Sequence, residues 1–308
     1  MTYDLVNRYK QNPIITLIDI PFPCNTVFNA GTAMINDKYI LMLRVENLRG
    51  KSVFVLAESH DGIHFTIHKN PVMSPSNKEP FKTYEARGIE DPRITKIDDT
   101  YYILYTAYSQ YSPRLAIAKT TDFVKFDRMG LISEPDNKDA ALFPEKFNGY
   151  YARLDRPVSA NQANMWISYS KDLIFWGRSK VVMETRPGYW DGNRLGAGAV
   201  PFRTKKGWLE IYHGVKNTAG GKIYRLGCAL FDLMDPSKLI GRSSAPILSP
   251  FEIYERVGDV PNVVFSCGAI VHTSGKKVNI YYGAADTCIC LGTVSVNDLI
   301  KKCEPDEV

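Results

Sequence analysis

The 308-residue chain contains no run of more than two consecutive Lys or Arg residues, and its net charge is only +5. A dedicated nucleic-acid footprint needs a basic stripe, so that class of function is set aside. No apolar stretch approaches the roughly 20 residues that span a bilayer, and Met1-Thr2-Tyr3-Asp4-Leu5 lacks the basic start and apolar centre of a secretory leader. The expected setting is the cytoplasm, with no membrane partner. Six cysteines are too few for a dense disulfide framework, no CxxC pair occurs, and Cys288 and Cys290 are too close along a strand to bridge. They are read as reduced. Helical periodicity is nearly absent; Pro236-Ser237-Lys238-Leu239-Ile240 and Val296-Asn297-Asp298-Leu299-Ile300-Lys301 each suggest one turn.

Aromatics, by contrast, are plentiful, with 18 Tyr and 14 Phe, and they recur in a pattern. Five times a polar turn leads into an alternating aromatic and aliphatic strand: Asn36 to Arg44, Asp98 to Thr106, Asn148 to Leu154, Lys206 to His213 and Gly275 to Tyr282. Second strands of small residues follow most of them, as in Arg114 to Lys119 and Trp166 to Tyr169. Short acidic turns ending on an aromatic come next, at Ser59 to Phe65, Thr121 to Phe126 and Ser170 to Trp176. Units of about four strands, spaced by roughly 50 to 70 residues, describe radial sheet repetition. The expectation is an all-β chain, a single five-bladed β-propeller domain over residues 1–308. A large β-sandwich is the alternative, but it does not call for five matched units.

The densest chemistry lies at Gly88-Ile89-Glu90-Asp91-Pro92-Arg93, with Arg87 just before it. Pro92 disfavours the helical conformation at Asp91 and presents it at the start of a strand. Adjacent carboxylates repel, so one of the pair is expected to hold its proton more tightly while a guanidinium keeps the other ionised. In a propeller the inner strands converge, which would gather Asn29, Arg44, Glu46, Asn47, Asp91, Arg93, Arg153, Arg156, Asp191, Arg194, His213 and Asp286. Carboxylates alone suit hydrolysis of a neutral sugar; added guanidinium, ammonium and imidazole groups suit a second, anionic substrate. Two other signals carry less. His60, His64 and His68 recur at a helical spacing, yet Asp61-Gly62 interrupts them with a turn, so they read as surface residues rather than metal ligands. Gly214 to Gly221 lacks the GK[ST] ending of a phosphate-cradling loop and reads as a mobile loop.

Several motifs in one order sharpen this picture. Phe28-Asn29-Ala30-Gly31, Leu43 to Asn47, Thr83 to Arg93, Asn137 to Lys146, Asp155-Arg156-Pro157, Trp190-Asp191-Gly192, Tyr212-His213-Gly214 and Tyr282 to Asp286 together resemble glycoside hydrolase family 130, which contains the β-mannoside phosphorylases. The resemblance spans about residues 25 to 290. It implies a five-bladed propeller in which Asp91 is the general acid, passing its proton through the 3-hydroxyl of the mannosyl unit. It further implies that Lys138, Arg156 and His213 hold inorganic phosphate, which attacks the anomeric carbon from the opposite face and releases α-mannose 1-phosphate. Asn29, Arg44, Asn47, Glu90, Arg93, Arg153, Asp191 and Asp286 are the expected sugar contacts. No cofactor or metal is expected, phosphate being a co-substrate, and the sequence sets no oligomeric state.

Two other readings compete with it. A glycosidase of the same fold, a β-mannosidase or an arabinan-type enzyme, would need a second carboxylate roughly 6.5 to 9.5 Å from Asp91; Glu46, Glu90, Asp191 and Asp286 are the candidates. A non-catalytic glycan-binding propeller would leave the basic set without a purpose. Phe81, Tyr111, Tyr189, Phe251 and Tyr254 are the aromatics expected to stack an acceptor sugar.

Overall fold

The computed structural model describes residues 4–158 and 163–304. It is all-β, with antiparallel strands in several sheets. Five successive groups of strands account for most of the described chain. The first is Cys24–Ile35, Lys38–Asn47 and Ser52–Ser59 with the short Thr66–Ile67 at its edge; the second is Gly88–Ile97, Thr100–Tyr108, Arg114–Thr120 and Asp127–Leu131. One parallel pair, Ser52 opposite Gly88, joins these two groups into one sheet. The third comprises Asn137–Phe147, Tyr150–Pro157, Met165–Ser170 and Trp176–Met183, and the fourth Arg194–Ala197, Trp208–Thr218, Gly221–Phe231 and Leu239–Arg242 with Phe202–Arg203 alongside. Val264–Val271, Lys277–Ala284 and Cys288–Ser295 form the fifth. Its outer side is completed from the other end of the chain, because Asn7–Arg8 and Ile15–Thr16 both pair with Cys288–Ser295.

Each turn-plus-aromatic segment read from the sequence is the second strand of its group. The turns explain why. Asn36 and Asp37 have φ of 47° and 60°, and Asn148 and Gly149 have φ of 50° and 80°, the left-handed pair that a two-residue hairpin requires and that Asn, Asp and Gly tolerate. The acidic turns are equally regular. Asp61, Asp122 and Asp172 each accept from the backbone N–H groups two and three residues on, as in Asp122 Oδ1 with Val124 and Lys125 at 2.8 and 3.0 Å. Ser59, Thr120 and Ser170 cap the same turns from two residues before.

The alternating strands bury both faces, and the apolar side chains meet between consecutive groups. Phe54 packs edge-on to Tyr105 between the first and second groups, and Phe143 packs edge-on to Trp208 between the third and fourth. Leu104 and Ile117 meet Leu142 between the second and third, Leu209 and Ile211 meet Val264 and Ile280 between the fourth and fifth, and Ile270, Tyr281 and Ile289 meet Val27 and Leu41 between the fifth and first. Every group therefore packs against two others.

Helix is scarce. Val296–Cys303 is longer than the single turn expected, because Ser295 caps it through Asp298 N–H and its Val296, Leu299, Ile300 and Cys303 side chains are buried. The segment from Pro236 to Ile240 is not helical: Asp232 and Asp235 bind the backbone ahead of them and fold it into a turn that leads to Leu239–Arg242. No helix among the described residues is long and apolar enough to cross a membrane. All six cysteines are free and buried. His64 and His68 bind Asp61 and Glu58, partly or fully exposed.

Candidate active site

The first strand of each group contributes to one cavity of about 600 Å³: Asn29, Glu90 and Asp91, Lys138 and Asp139, Arg194 and Phe265. The second strands add Arg44, Tyr108, Arg156, His213 and Val215, and Asp286 follows the second strand of the fifth group. A repeated backbone device aims the polar groups. Pairing register shifts between Phe28 and Ala30, between Glu90 and Arg93, and between Lys138 and Ala141. In each bulge one residue has positive φ: Asn29 (49°), Asp91 (53°) and Asp139 (57°). Bulges re-aim a side chain that strict alternation would bury, and Asn and Asp are the residues that bear the left-handed conformation. Gly31 lets two of these strands approach, since a Cβ there would lie 2.5 Å from the Pro92 carbonyl oxygen.

Asp91 is buried, and its Oδ1 accepts from Asn29 Nδ2 and Arg44 Nη1, each at 2.9 Å. Burial by itself would raise its pKa, but the Arg44, Arg93 and Lys138 charges and the Asn29 amide outweigh it and hold the carboxyl below its ordinary value. Arg44 also donates to Glu90 Oε1 at 2.8 Å, so one guanidinium spans both neighbouring acids. Glu90 Oε2 in turn accepts from Lys138 Nζ at 3.0 Å. Burial opposes the Lys138 charge, yet Glu90 and Asp91 raise its pKa above the usual lysine value. Among the carboxyls lining the cavity, Asp286 has a raised pKa. Burial, against the attraction of Arg44 and with the nearby charges of Asp91, Asp259 and Glu90, pushes it up to about 7.

A second cluster sits beside the first. Arg156 Nε and Nη2 both lie 2.8 Å from Asp139 Oδ2, and His213 Nε2 lies 3.4 Å from the same oxygen. Asp139 is held well below the ordinary carboxylate value: burial would raise it, but Arg156, His213 and Arg93 prevail. Burial lowers the His213 pKa, with Asp139 opposing. The His213 ring packs 4.5 Å from Phe265, and its Nδ1 has no hydrogen-bond partner among the described residues. The cavity thus carries a carboxyl set in an amide and a guanidinium, together with the Lys138 ammonium and with a guanidinium and an imidazole held on the Asp139 carboxylate. Among the described residues no group of three or more His, Cys, Asp or Glu side chains is arranged to hold a metal ion.

Of the residues gathered from sequence on the inner strands, Arg194 lines this cavity and Glu46 does not, accepting instead from Asn25. Of those the resemblance gave a role, Asn29, Arg44, Glu90, Asp91, Lys138, Arg156, His213 and Asp286 line it. Four lie elsewhere. Asn47 closes a turn by accepting from the N–H groups of Arg49 and Lys51. Arg93, 1% exposed, lies behind the cavity wall and donates to the Ala197, Gly198 and Asp91 carbonyls. Arg153 binds Asp155 and the Ile132 carbonyl, stacks on Trp176 and lines a separate groove. Asp191 is fully buried against Arg186 and the Tyr212 hydroxyl. These four positions are those of framework residues. None of the five aromatics expected to stack an acceptor is among the lining residues; Tyr108, Tyr224 and Phe265 are. Sequence reading passed over Asp139 although it sits next to Lys138 in a quoted motif. The signal was the repeated Asn/Asp at the same place in three units.

An all-β scaffold whose first and second strands bring carboxyl, guanidinium, ammonium and imidazole groups to one polar cavity is the form of a carbohydrate-active enzyme. A family model described as beta-1,4-mannooligosaccharide phosphorylase matches residues 2–305, and the chain belongs to that family, glycoside hydrolase family 130. The β-1,2-mannobiose phosphorylase of Listeria innocua is 33% identical, over 97% of this chain and 98% of its own. The 1,2-β-oligomannan phosphorylase of a Thermoanaerobacter species is 38% identical, over 89% of this chain and 91% of its own. The solved structure of a β-1,2-mannobiose phosphorylase from L. innocua, in complex with β-1,2-mannobiose, superposes with a TM-score of 0.88 at 33% identity, covering 97% of this chain and 99% of the other.

Proposed function

We propose that the protein is an inverting β-mannoside phosphorylase built as one five-bladed β-propeller domain. The propeller reading is supported by five strand groups with five apolar interfaces, the last between the fifth group and the first. The observation that carries the functional reading is the placement of Lys138, Arg156 and His213 in the same cavity as Asp91. A dianionic nucleophile needs no carboxylate base; it needs cations that bind it and hold it in line, and Arg and Lys supply charge-assisted hydrogen bonds to its oxygens. Glu90, the carboxylate nearest Lys138 in the wall, is engaged by Arg44 and Lys138 together, which disfavours its use as a base activating water.

Asp91 is the proton donor in this scheme, and its protonation follows from the nucleophile. Arg44, Arg93 and Lys138 favour its ionised form. A phosphate bound at Lys138 and Arg156 opposes those charges and raises the Asp91 pKa toward the protonated form that can assist departure of the acceptor sugar. Asn29, Arg44 and Asp286 are placed to bind the sugar hydroxyls. The substrates are β-mannosides with a β-1,2 or β-1,4 link, inorganic phosphate is the co-substrate, and no metal takes part in this chemistry.

Phosphorolysis that passes through one transition state is reversible, so α-mannose 1-phosphate plus mannose is expected to yield a β-mannoside and free phosphate. Phosphate release, with the disaccharide identified by NMR, checks this. Slow release of mannose without any disaccharide would contradict it.

A further inference from the structure

We propose that Asp139 is a positioning residue for phosphate, fixing Arg156 and His213 on one carboxylate and tying both, through Arg93, to the backbone of Asp91. The proposal rests on the phosphorylase reading. Asp139 is 2% exposed. Its Oδ2 meets Arg156 Nε and Nη2 at 2.8 Å and His213 Nε2 at 3.4 Å; its Oδ1 meets Arg93 Nη2 at 3.4 Å. Arg93 Nη1 donates to the Asp91 carbonyl oxygen at 3.0 Å. A continuous set of contacts therefore joins Arg156 and His213, two of the three residues assigned to phosphate, and the backbone that carries the acid.

Charge makes this arrangement informative. A carboxylate beside an anion site weakens anion binding, so its use here is geometric rather than attractive. Buried between two guanidiniums and an imidazole, it holds the Arg156 plane and the His213 ring where a loose side chain would sample several rotamers. The backbone supports the same conclusion. Asp139 occupies in the third strand group the bulge position that Asp91 occupies in the second. The adjoining strand leaves room for the pair, because a Cβ on Gly196 would lie 2.6 Å from Asp139 Oδ2 and 2.3 Å from His213 Cε1.

The test replaces Asp139 by Asn, which keeps the size and bears the positive φ. Expected is a loss in kcat on the order of 10- to 100-fold from a misaligned nucleophile, with no rise in the KM for phosphate, because one negative charge leaves the anion site, and an unchanged KM for the mannoside. Arg156→Ala is expected to behave oppositely, raising the KM for phosphate. A second readout is the His213 ring, whose surroundings are Asp139, Arg156, Arg93, Tyr224 and Phe265. Asp139 opposes the effect of burial there, so in Asp139→Asn the imidazole NMR titration moves to lower pH. Gly196→Ala crowds the same pair without a change of charge and lowers kcat as well; it carries the test if Asp139→Asn does not fold. Wild-type kcat and an unmoved His213 titration in folded Asp139→Asn, or wild-type kcat in folded Gly196→Ala, would overturn the proposal alone. Turnover by the wild type that ignores phosphate would overturn it together with the functional reading.

Discussion

At Asp286 the cavity holds a carboxyl that resists ionisation, and the consequence for stability has a definite sign. In the unfolded chain this group ionises near 4, whereas in the native protein it keeps its proton up to about 7. Native Asp286 thus binds the proton more tightly, and its contribution to stability declines as pH rises through that window and is level above it. Asp286→Asn removes the titration and bears the φ of 57° at this position. The mutant is expected to gain Tm relative to wild type between about pH 4.5 and about pH 8; parallel Tm curves would contradict this. Adjacency in sequence pointed to Glu90 and Asp91 as the pair in which one proton is held more tightly. The guanidinium expected to keep one acid ionised is Arg44, which bridges both and, with Arg93 and Lys138, lowers the pKa of Asp91 against burial, whereas the raised carboxyl in the cavity, Asp286, stands far along the chain. Charge neighbours depend on which strands converge, and spacing along the sequence does not carry that.

At the scale of strands, sequence patterns were most legible where a turn residue fixes the backbone. Asn36-Asp37 and Asn148-Gly149 announce hairpins by their tolerance of positive φ, and all five aromatic strands lie where those turns placed them. The bulges at Asn29, Asp91 and Asp139 were not legible as such, since an extra residue in one strand shows only against its partner's register. The short edge strand Asn7–Arg8 was missed as well. Two residues carry no periodicity, yet they hold the chain ends together. Arg8 donates to both oxygens of the fully buried Glu255, to Asp4 and to the Ser249 carbonyl. Arg8→Ala leaves a buried carboxylate without its cation, a change that costs about 3 kcal/mol. A clear drop in denaturation midpoint by urea titration is expected, with kcat little altered. An unchanged midpoint would show that Glu255 is satisfied by Tyr282 and the backbone alone.

For the molecule as a whole, repetition was visible in sequence because each unit reuses one turn and one strand pattern, whereas the union of N-terminal and C-terminal strands in the fifth group needed the structure. The arrangement concentrates chemistry: five first strands, far apart in sequence, deliver Asn29, Asp91, Lys138, Arg194 and Phe265 to a single cavity. Its content, an acid bound by Asn29 and Arg44, the Lys138 ammonium, and a guanidinium and an imidazole bound by Asp139, is what the proposal of phosphate as the attacking group rests on. The measurement that tests this most directly follows β-1,2- and β-1,4-mannobiose by ³¹P and ¹H NMR with and without inorganic phosphate. The account predicts α-mannose 1-phosphate in equimolar amount with the released sugar from at least one of the two disaccharides, and no turnover without phosphate. Free mannose formed at the same rate in phosphate-free buffer would contradict it and make water the nucleophile.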